Sequence, residues 1–217
     1  MNMNPVITAL RKYASPLVNL VVKLIGITNW PATSPISADD KAKITELLKK
    51  DYYIILTRHS NHLSTYMINM SDYFLTKKWG YWSHGLMNFE DQVNGQADFK
   101  LLESTAPGVS WDTFDTVFGD CSAVCLLKPK NMKIEEWTAV LDKAKTDVGK
   151  PYDTLYDLAQ EKQLSCVELV RNALMGEPNY FLDFTNFEAL VQSYGEVTPQ
   201  MFYGCPDFET VFEVKRG

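Results

Sequence analysis

The stretch Gln163-Leu164-Ser165-Cys166-Val167-Glu168-Leu169-Val170 lies where a turn-rich part of the chain becomes an apolar run with helical periodicity. Ser165 is a residue type favoured at helix N-caps, and Glu168 follows three residues later, as in a capping box. This pattern predicts a helix over Cys166–Leu174 with Cys166 in its first turn. Unpaired backbone N–H groups and the positive end of the helix dipole favour a thiolate there. A thiolate with a histidine nearby is the core of a cysteine nucleophile.

Length and composition narrow the classes of protein to consider. The chain has 217 residues, of which 46% are hydrophobic and 12% aromatic, and this suits one domain with or without an appendage. Its net charge of −6 argues against nucleic acid as a partner. The four cysteines have no framework spacing, so we expect free thiols. No apolar run reaches the roughly 18 residues of a membrane-spanning helix.

The N-terminal segment, residues 1–36, differs from the rest of the chain because it carries three basic residues and no acidic one. Its apolar residues follow a heptad-like seam that Pro16 interrupts, and a linker rich in proline follows at Trp30–Pro35. The segment is interpreted as a helix on the protein's own core, as a membrane-surface helix, or as a docking helix for a larger assembly. A signal peptide is not expected, so the predicted location is cytoplasmic or virion-associated.

Residues 37–217 are predicted to form the second unit, with an α+β fold in which a small antiparallel sheet or barrel packs against helices. The elements come from hydrophobic periodicity and from turn residues. The predicted helices are one from Ser37 with Ile44, Leu47 and Leu48 buried, one over Leu63–Leu75, one over Ile134–Val148, and the helix of Cys166. The predicted strands are Tyr52–Thr57, Trp82–Phe89, Asp98–Glu103, Val109–Phe118 and Cys121–Leu127.

His84 and Glu103 are expected to meet across a hairpin. If Asn94-Gly95 forms a two-residue turn, Leu86 lies opposite Glu103, and His84 becomes a diagonal neighbour of Glu103 on the same face. A carboxylate beside an imidazole can fix its tautomer and stabilise the imidazolium. The chain therefore offers a histidine, a carboxylate and a cysteine. Taken singly, each residue is more often structural than catalytic.

Other candidate residues carry weaker patterns. Cys121 and Cys125 have a spacing that resembles a metal site, but they lie on a predicted strand without a second ligand pair and are interpreted as core thiols. His59 and His62 are interpreted as surface histidines. The sequence has no glycine-rich phosphate loop, and neither a metal nor another cofactor is expected.

Five segments, in order, resemble circularly permuted, papain-like cysteine hydrolases of the NlpC type (the YiiX-like group). The resemblance covers roughly residues 51–215. It implies a permuted papain-like fold. Gly85 directly after His84 and Leu164 before Ser165 depart from the usual pattern. The matching segments are Asp51–Arg58, Trp82–Leu86, Leu101–Val109, Gly149–Asp153 together with Ser165–Val170, and Val197–Pro199.

The resemblance also implies roles for individual residues. Cys166 would be the nucleophile, His84 the general base and acid, and Glu103 the group that orients His84. The backbone N–H of Cys166 would help to hold an oxyanion, and Tyr152 and Ser165 are candidates for the oxyanion or substrate-binding region. Tyr152 is equally well interpreted as part of a structural turn.

The function that the resemblance implies is thiol-dependent hydrolysis of an amide or peptide bond. The substrate it favours is a cell-wall (peptidoglycan) peptide. Two alternatives remain open. One is an acyl-lipid hydrolase or acyltransferase that acts at a membrane surface through residues 1–36. The other is a structural component of a phage virion, or of another large assembly, that carries a hydrolase-like domain.

Overall fold

The computed structural model describes residues 34–59, 63–89, 100–130, 132–153, 158, 162–175 and 184–216. Nearly all of the N-terminal segment, together with His62 and the Asn94-Gly95 turn, lies outside the described residues. The prediction of an α+β fold is confirmed. The strands are β1 Ile54–His59, β2 His84–Asn88, β3 Leu101–Thr105, β4 Gly108–Asp112, β5 Cys121–Pro129 and β6 Phe208–Lys215. The helices are α1 Ala38–Leu48, α2 Leu63–Thr76, α3 Phe114–Phe118, α4 Ile134–Lys145, α5 Cys166–Met175, α6 Thr185–Tyr194 and α7 Pro199–Phe202.

The six strands form one open antiparallel sheet in the order β4-β3-β2-β1-β5-β6. β1 lies inside the sheet between β2 and β5, which explains why it is a continuous apolar run rather than an alternating one. β6 pairs with β5 along its length and forms one edge, and its exposed residues are mostly polar or charged.

The predicted register of the β2–β3 hairpin is confirmed. Met87 pairs with Leu102 and Asn88 pairs with Leu101. This is the alignment expected from a two-residue turn at Asn94-Gly95, and it makes His84 and Glu103 diagonal neighbours.

The sheet is covered on both faces, so its strands alternate between two apolar cores. Ile54 and Leu56 face the larger core, to which α4, α5, α6 and α7 contribute. Ile55 faces the smaller core, which α1 and α3 close. The side chains of Trp137, Leu141 and Ala144, which share one face of α4, all lie in the larger core.

The predicted strand Val109–Phe118 is confirmed only in its first half, because β4 ends at Asp112 and Phe114–Phe118 is a short helix. The Thr113 side chain accepts a hydrogen bond from the Thr116 N–H, which caps the helix and ends the strand. Three further elements, α6, α7 and β6, were not predicted from the sequence.

The two ends of the described chain meet at the beginning of β5. The Ile36 N–H donates to the Cys121 carbonyl at 2.8 Å, and the Arg216 N–H donates to the Ser122 carbonyl at 2.9 Å. Arg216 also bonds Asp40 in the first turn of α1, where Ser37 and Asp40 form a capping box. No helix among the described residues is long and apolar enough to cross a membrane.

Candidate active site

The first turn of α5 holds Cys166 in the predicted position. The Ser165 N–H donates to Glu168 Oε2 at 2.7 Å, and the Glu168 N–H approaches Ser165 Oγ at 3.4 Å, so the predicted capping box is present. Cys166 itself is 2% exposed. Its helix contacts β2, β3 and α4, which fix the position of the thiol.

Gly85 permits α5 to lie close against β2. A Cβ atom at Gly85 would lie 3.0 Å from Val167 Cγ1, which is tighter than ordinary van der Waals contact. Since Val167 immediately follows Cys166, this contact sets the distance between the nucleophile candidate and the strand of His84. The departure from the family pattern at Gly85 therefore has a packing explanation in this chain.

A short strap, residues 149–151, ties the β3–β4 hairpin to the beginning of α5. The Val109 N–H donates to the Lys150 carbonyl at 2.8 Å, and the Gly149 N–H donates to the Val109 carbonyl at 2.9 Å. The Leu164 N–H then donates to the Pro151 carbonyl at 3.1 Å. A side chain at Gly108, whose φ is +117°, would collide with the Lys150 carbonyl, so this close approach requires glycine.

His84 and Glu103 form a hydrogen bond, as the hairpin register predicts. His84 Nε2 lies 2.6 Å from Glu103 Oε2, and the side chains are only 16% and 8% exposed. Glu103 is therefore a largely buried carboxylate facing the imidazole rather than a residue of a solvated sheet face. A short bond of this kind orients the ring and favours its charged form.

Cys166 is the second partner of His84. Because Glu103 occupies Nε2, Nδ1 is the ring nitrogen left for the thiol. Burial opposes protonation of His84, but the charge of Cys166 and a hydrogen bond with it, together with the bond to Glu103, outweigh burial and raise the pKa of His84 to about 10. Cys166 of α5, His84 of β2 and Glu103 of β3 therefore lie in one row, with His84 in the middle.

Asp112 extends this row and was missed by the sequence analysis. In the β3–β4 ladder Glu103 pairs with Ser110 and Leu101 pairs with Asp112, so Asp112 is a diagonal neighbour of Glu103 on the same face. Burial opposes ionisation of Asp112, but the backbone N–H of Thr113, which donates to its carboxylate, and the positive charge of His84 lower its pKa. The register of the β3–β4 hairpin, and not that of the β2–β3 hairpin alone, is the signal that reveals Asp112.

The other predicted site residues, Tyr152 and Ser165, both precede Cys166 in sequence. Ser165 is fully buried, and both its N–H and its hydroxyl belong to the capping box. Tyr152 is half-buried and immediately follows the strap. Their roles in oxyanion or substrate binding stay predictions.

A small pocket opens beside Cys166. One wall is the beginning of α5, a second is α2, and a third is the loop that contains Val197–Pro199. This segment, the last of the five in the resemblance, thus reaches the site. The lining residues are Ile68, Ser71, Cys166, Val167, Glu196, Val197, Thr198 and Pro199.

The remaining cysteines are buried away from this pocket. Burial raises the pKa of the Cys121 thiol to about 11 and that of the Cys125 thiol to about 12. The two side chains belong to different cores on opposite faces of β5. This agrees with their interpretation as core thiols.

Comparison with known proteins finds a similar fold. The crystal structure of the metalloprotein YiiX from Escherichia coli O157:H7 superposes with a TM-score of 0.57 at 16% identity, over 77% of this chain and 99% of that chain. The chain thus has a YiiX-like fold. No family model matches the chain, and no curated protein sequence matches it.

YiiX is described as a metalloprotein, which raises the question of whether this chain also has side chains that could bind a metal ion. Among residues 34–59, 63–89, 100–130, 132–153, 158, 162–175 and 184–216, no group of three or more His, Cys, Asp or Glu side chains could hold one. The described residues therefore do not fit a metal centre.

Proposed function

We propose that this protein is a thiol-dependent hydrolase of the permuted, papain-like NlpC type, with Cys166, His84 and Glu103 as its catalytic triad. The observation that carries the proposal is the hydrogen-bonded row from Cys166 through His84 to Glu103, with the cysteine at a helix N-terminus beside a pocket. Both the chemical order of these groups and their location match the arrangement of a cysteine nucleophile.

The first half of the reaction follows from these positions. The Cys166 thiolate attacks the carbonyl carbon of an amide, and the π electrons move to the carbonyl oxygen. The backbone N–H of Cys166 and the N-terminal end of α5 stabilise this oxyanion. The imidazolium of His84 then gives its proton to the leaving nitrogen, the C–N bond breaks, and an acyl-thioester remains on Cys166.

In the second half, neutral His84 accepts a proton from a water molecule that attacks the thioester. The C–S bond breaks, the acid product leaves, and the proton on His84 restores the imidazolium beside the thiolate. Glu103 keeps Nε2 of the ring engaged in both halves, so Nδ1 stays directed to the sulfur.

The substrate class is a peptide or amide, and the resemblance favours a cell-wall peptide. A purified sample incubated with peptidoglycan should release new amino groups and peptide fragments detected by mass spectrometry. Cys166→Ala should release none, whereas Cys205→Ala should act like the wild type, since Cys205 lies outside the row.

A parallel incubation with phospholipid vesicles tests the alternative of an acyl-lipid hydrolase. Release of fatty acid without peptide products would replace the peptide proposal with the lipid one. Absence of both products, with the protein present in stoichiometric amount in a particle, would favour the structural-component interpretation.

A further inference from the structure

A group of exposed side chains at the C-terminal end of α2 has no part in the proposed chemistry. Trp79 is 55% exposed, more than any other large hydrophobic side chain among the described residues, and Tyr73 is 40% exposed. Their rings stack with centroids 5.3 Å apart and planes 24° apart. Lys77 and Lys78, which lie between them in sequence, are also exposed. These four residues are the basic–aromatic tip.

The backbone after α2 folds back so that Trp79 meets Tyr73. The Lys77 N–H donates to the Tyr73 carbonyl at 2.9 Å, with Lys77 in the left-handed region at a φ of 61°. The Lys78 N–H then donates to Thr76 Oγ1 at 3.2 Å. A residue other than glycine in this region costs free energy, and here the resulting turn presents an indole ring to water. The tip is therefore an ordered surface, held by its own backbone hydrogen bonds.

The charges and rings of the tip select the kind of partner. Residues 73–82 contain two lysines and no acidic residue, in a chain whose net charge is −6. Tryptophan and tyrosine rings beside lysine ammonium groups are typical of the boundary between lipid headgroups and acyl chains. An anionic lipid surface matches both properties, because lysines attract the headgroup phosphates while an indole ring enters the interface.

We propose that the basic–aromatic tip binds an anionic lipid bilayer. Trp79 and Tyr73 would lie at the level of the headgroups, with Lys77 and Lys78 against lipid phosphates. Two lysines and two rings bind weakly by themselves, and stable attachment takes a second contact. The three basic residues of the segment 1–36 can supply that contact.

This contact would hold the pocket beside Cys166 close to the membrane. Ile68 and Ser71, in the same helix as the beginning of the tip, line that pocket. Ile68 lies eight residues before the end of α2 at Thr76, or about 12 Å along the helix axis. A substrate at the membrane surface would thus be within reach of the thiol. This consequence rests on the proposed function, whereas lipid binding by the tip does not.

Co-sedimentation of the full chain with lipid vesicles tests the proposal. One set of vesicles contains phosphatidylcholine alone, and the other contains phosphatidylcholine mixed with phosphatidylglycerol. The wild type should bind the anionic vesicles more tightly, and high salt should weaken this binding. Trp79→Ser removes the most exposed ring, and the double variant Lys77→Gln, Lys78→Gln removes both charges.

We expect Trp79→Ser to lower the partition constant on anionic vesicles about tenfold. The double variant Lys77→Gln, Lys78→Gln should lower it about fivefold for each lysine and should lose most of the salt dependence.

Two control variants match these changes elsewhere on the surface. Lys49→Gln with Lys50→Gln removes the same charge from two adjacent exposed lysines that follow α1, and it should change the partition constant by less than about twofold. Trp111→Ser removes another exposed indole ring, in β4, and should leave the partition constant unchanged.

Wild-type partition constants in both tip variants, or failure of the wild type to bind anionic vesicles, would overturn the proposal. The lysine variant decides the test if a thermal melt shows that Trp79→Ser does not fold. Binding to an insoluble glycan and not to the vesicles, lost in Trp79→Ser, would replace the lipid with a sugar polymer. The tip variants should keep the wild-type alkylation rate of Cys166, so failure of the proposed function would leave the vesicle result intact.

Discussion

At the scale of single residues, the contact between His84 and Cys166 determines how the thiol should react. With its pKa raised to about 10, His84 stays positively charged through neutral pH and offers a counter-ion to the thiolate. We therefore expect iodoacetamide to alkylate Cys166 near pH 6, well below the pH that an ordinary thiol of pKa about 8.5 requires. Peptide mass spectrometry over a pH series measures the rate. The proposal fails if Cys166 reacts no faster than Cys205 near pH 6.

Glu103 should matter less than Cys166. Cys166→Ala removes the nucleophile, so hydrolysis should fall to background with little change in folding. Glu103→Gln keeps nucleophile and base but weakens the charge and the orientation of His84, so we expect a loss of about 10- to 1,000-fold in kcat. Steady-state kinetics and a thermal melt of both variants measure this. Equal, complete loss in both, with a lowered melting temperature for Glu103→Gln, would assign Glu103 a structural role.

Asp112 is predicted to act on His84 through Glu103. Asp112→Asn removes one negative charge from the row, so the imidazolium is less stabilised and the alkylation rate of Cys166 near pH 6 should fall about two- to fivefold. Asp115→Asn, an exposed change three residues away, is the matched control and should leave the rate unaltered. Identical pH profiles of alkylation for Asp112→Asn and the wild type would show that Asp112 does not act on His84.

At the scale of elements, the contact between β2 and α5 keeps Cys166 close to His84. Its contribution to stability can be tested by mutation. Gly85→Ala brings a methyl group against Val167 Cγ1, and overpacking of this kind costs roughly 1–3 kcal/mol. Val167→Ala in the same chain removes that atom, so the double variant should be more stable than the sum of the two single changes predicts. Denaturant unfolding of all four proteins measures the coupling. Additive losses would mean that the glycine is not required by this contact.

The same elements show what the sequence could and could not predict. Ser165 and Glu168 encode a local capping box, and Asn94-Gly95 encodes a register, so the helix of Cys166 and the His84–Glu103 pair were predictable. The aromatic and β-branched residues of Phe114–Phe118 suit a strand, whereas Thr113 is a good helix cap, and the structure here is a helix. Asp112 required the register of the β3–β4 hairpin as well. Glu196 could not be found this way, because only the tertiary packing brings it to the pocket beside Cys166.

At the scale of the whole molecule, the proposed division between the N-terminal segment and the rest can be tested by truncation. Ile36 is 3% exposed and belongs to the smaller core, so a shortened protein should begin at Pro35 rather than at Ser37. We expect it to keep its melting temperature and its Cys166 reactivity but to lose binding to a partner or to anionic vesicles in co-sedimentation. If it unfolds or aggregates, the segment belongs to the protein's own core.

The meeting of Ile36 and Arg216 at the beginning of β5 has a mechanical consequence. A force that pulls these two residues apart acts at the Ala123–Lys215 end of the β5–β6 ladder and loads its hydrogen bonds one after another. Such peeling needs far less force than shearing the same bonds together. In single-molecule stretching through these two positions, the Arg216–Asp40 pair and β6 should therefore detach first, at low force, while the row of Cys166, His84 and Glu103 on the other side of β1 is still assembled.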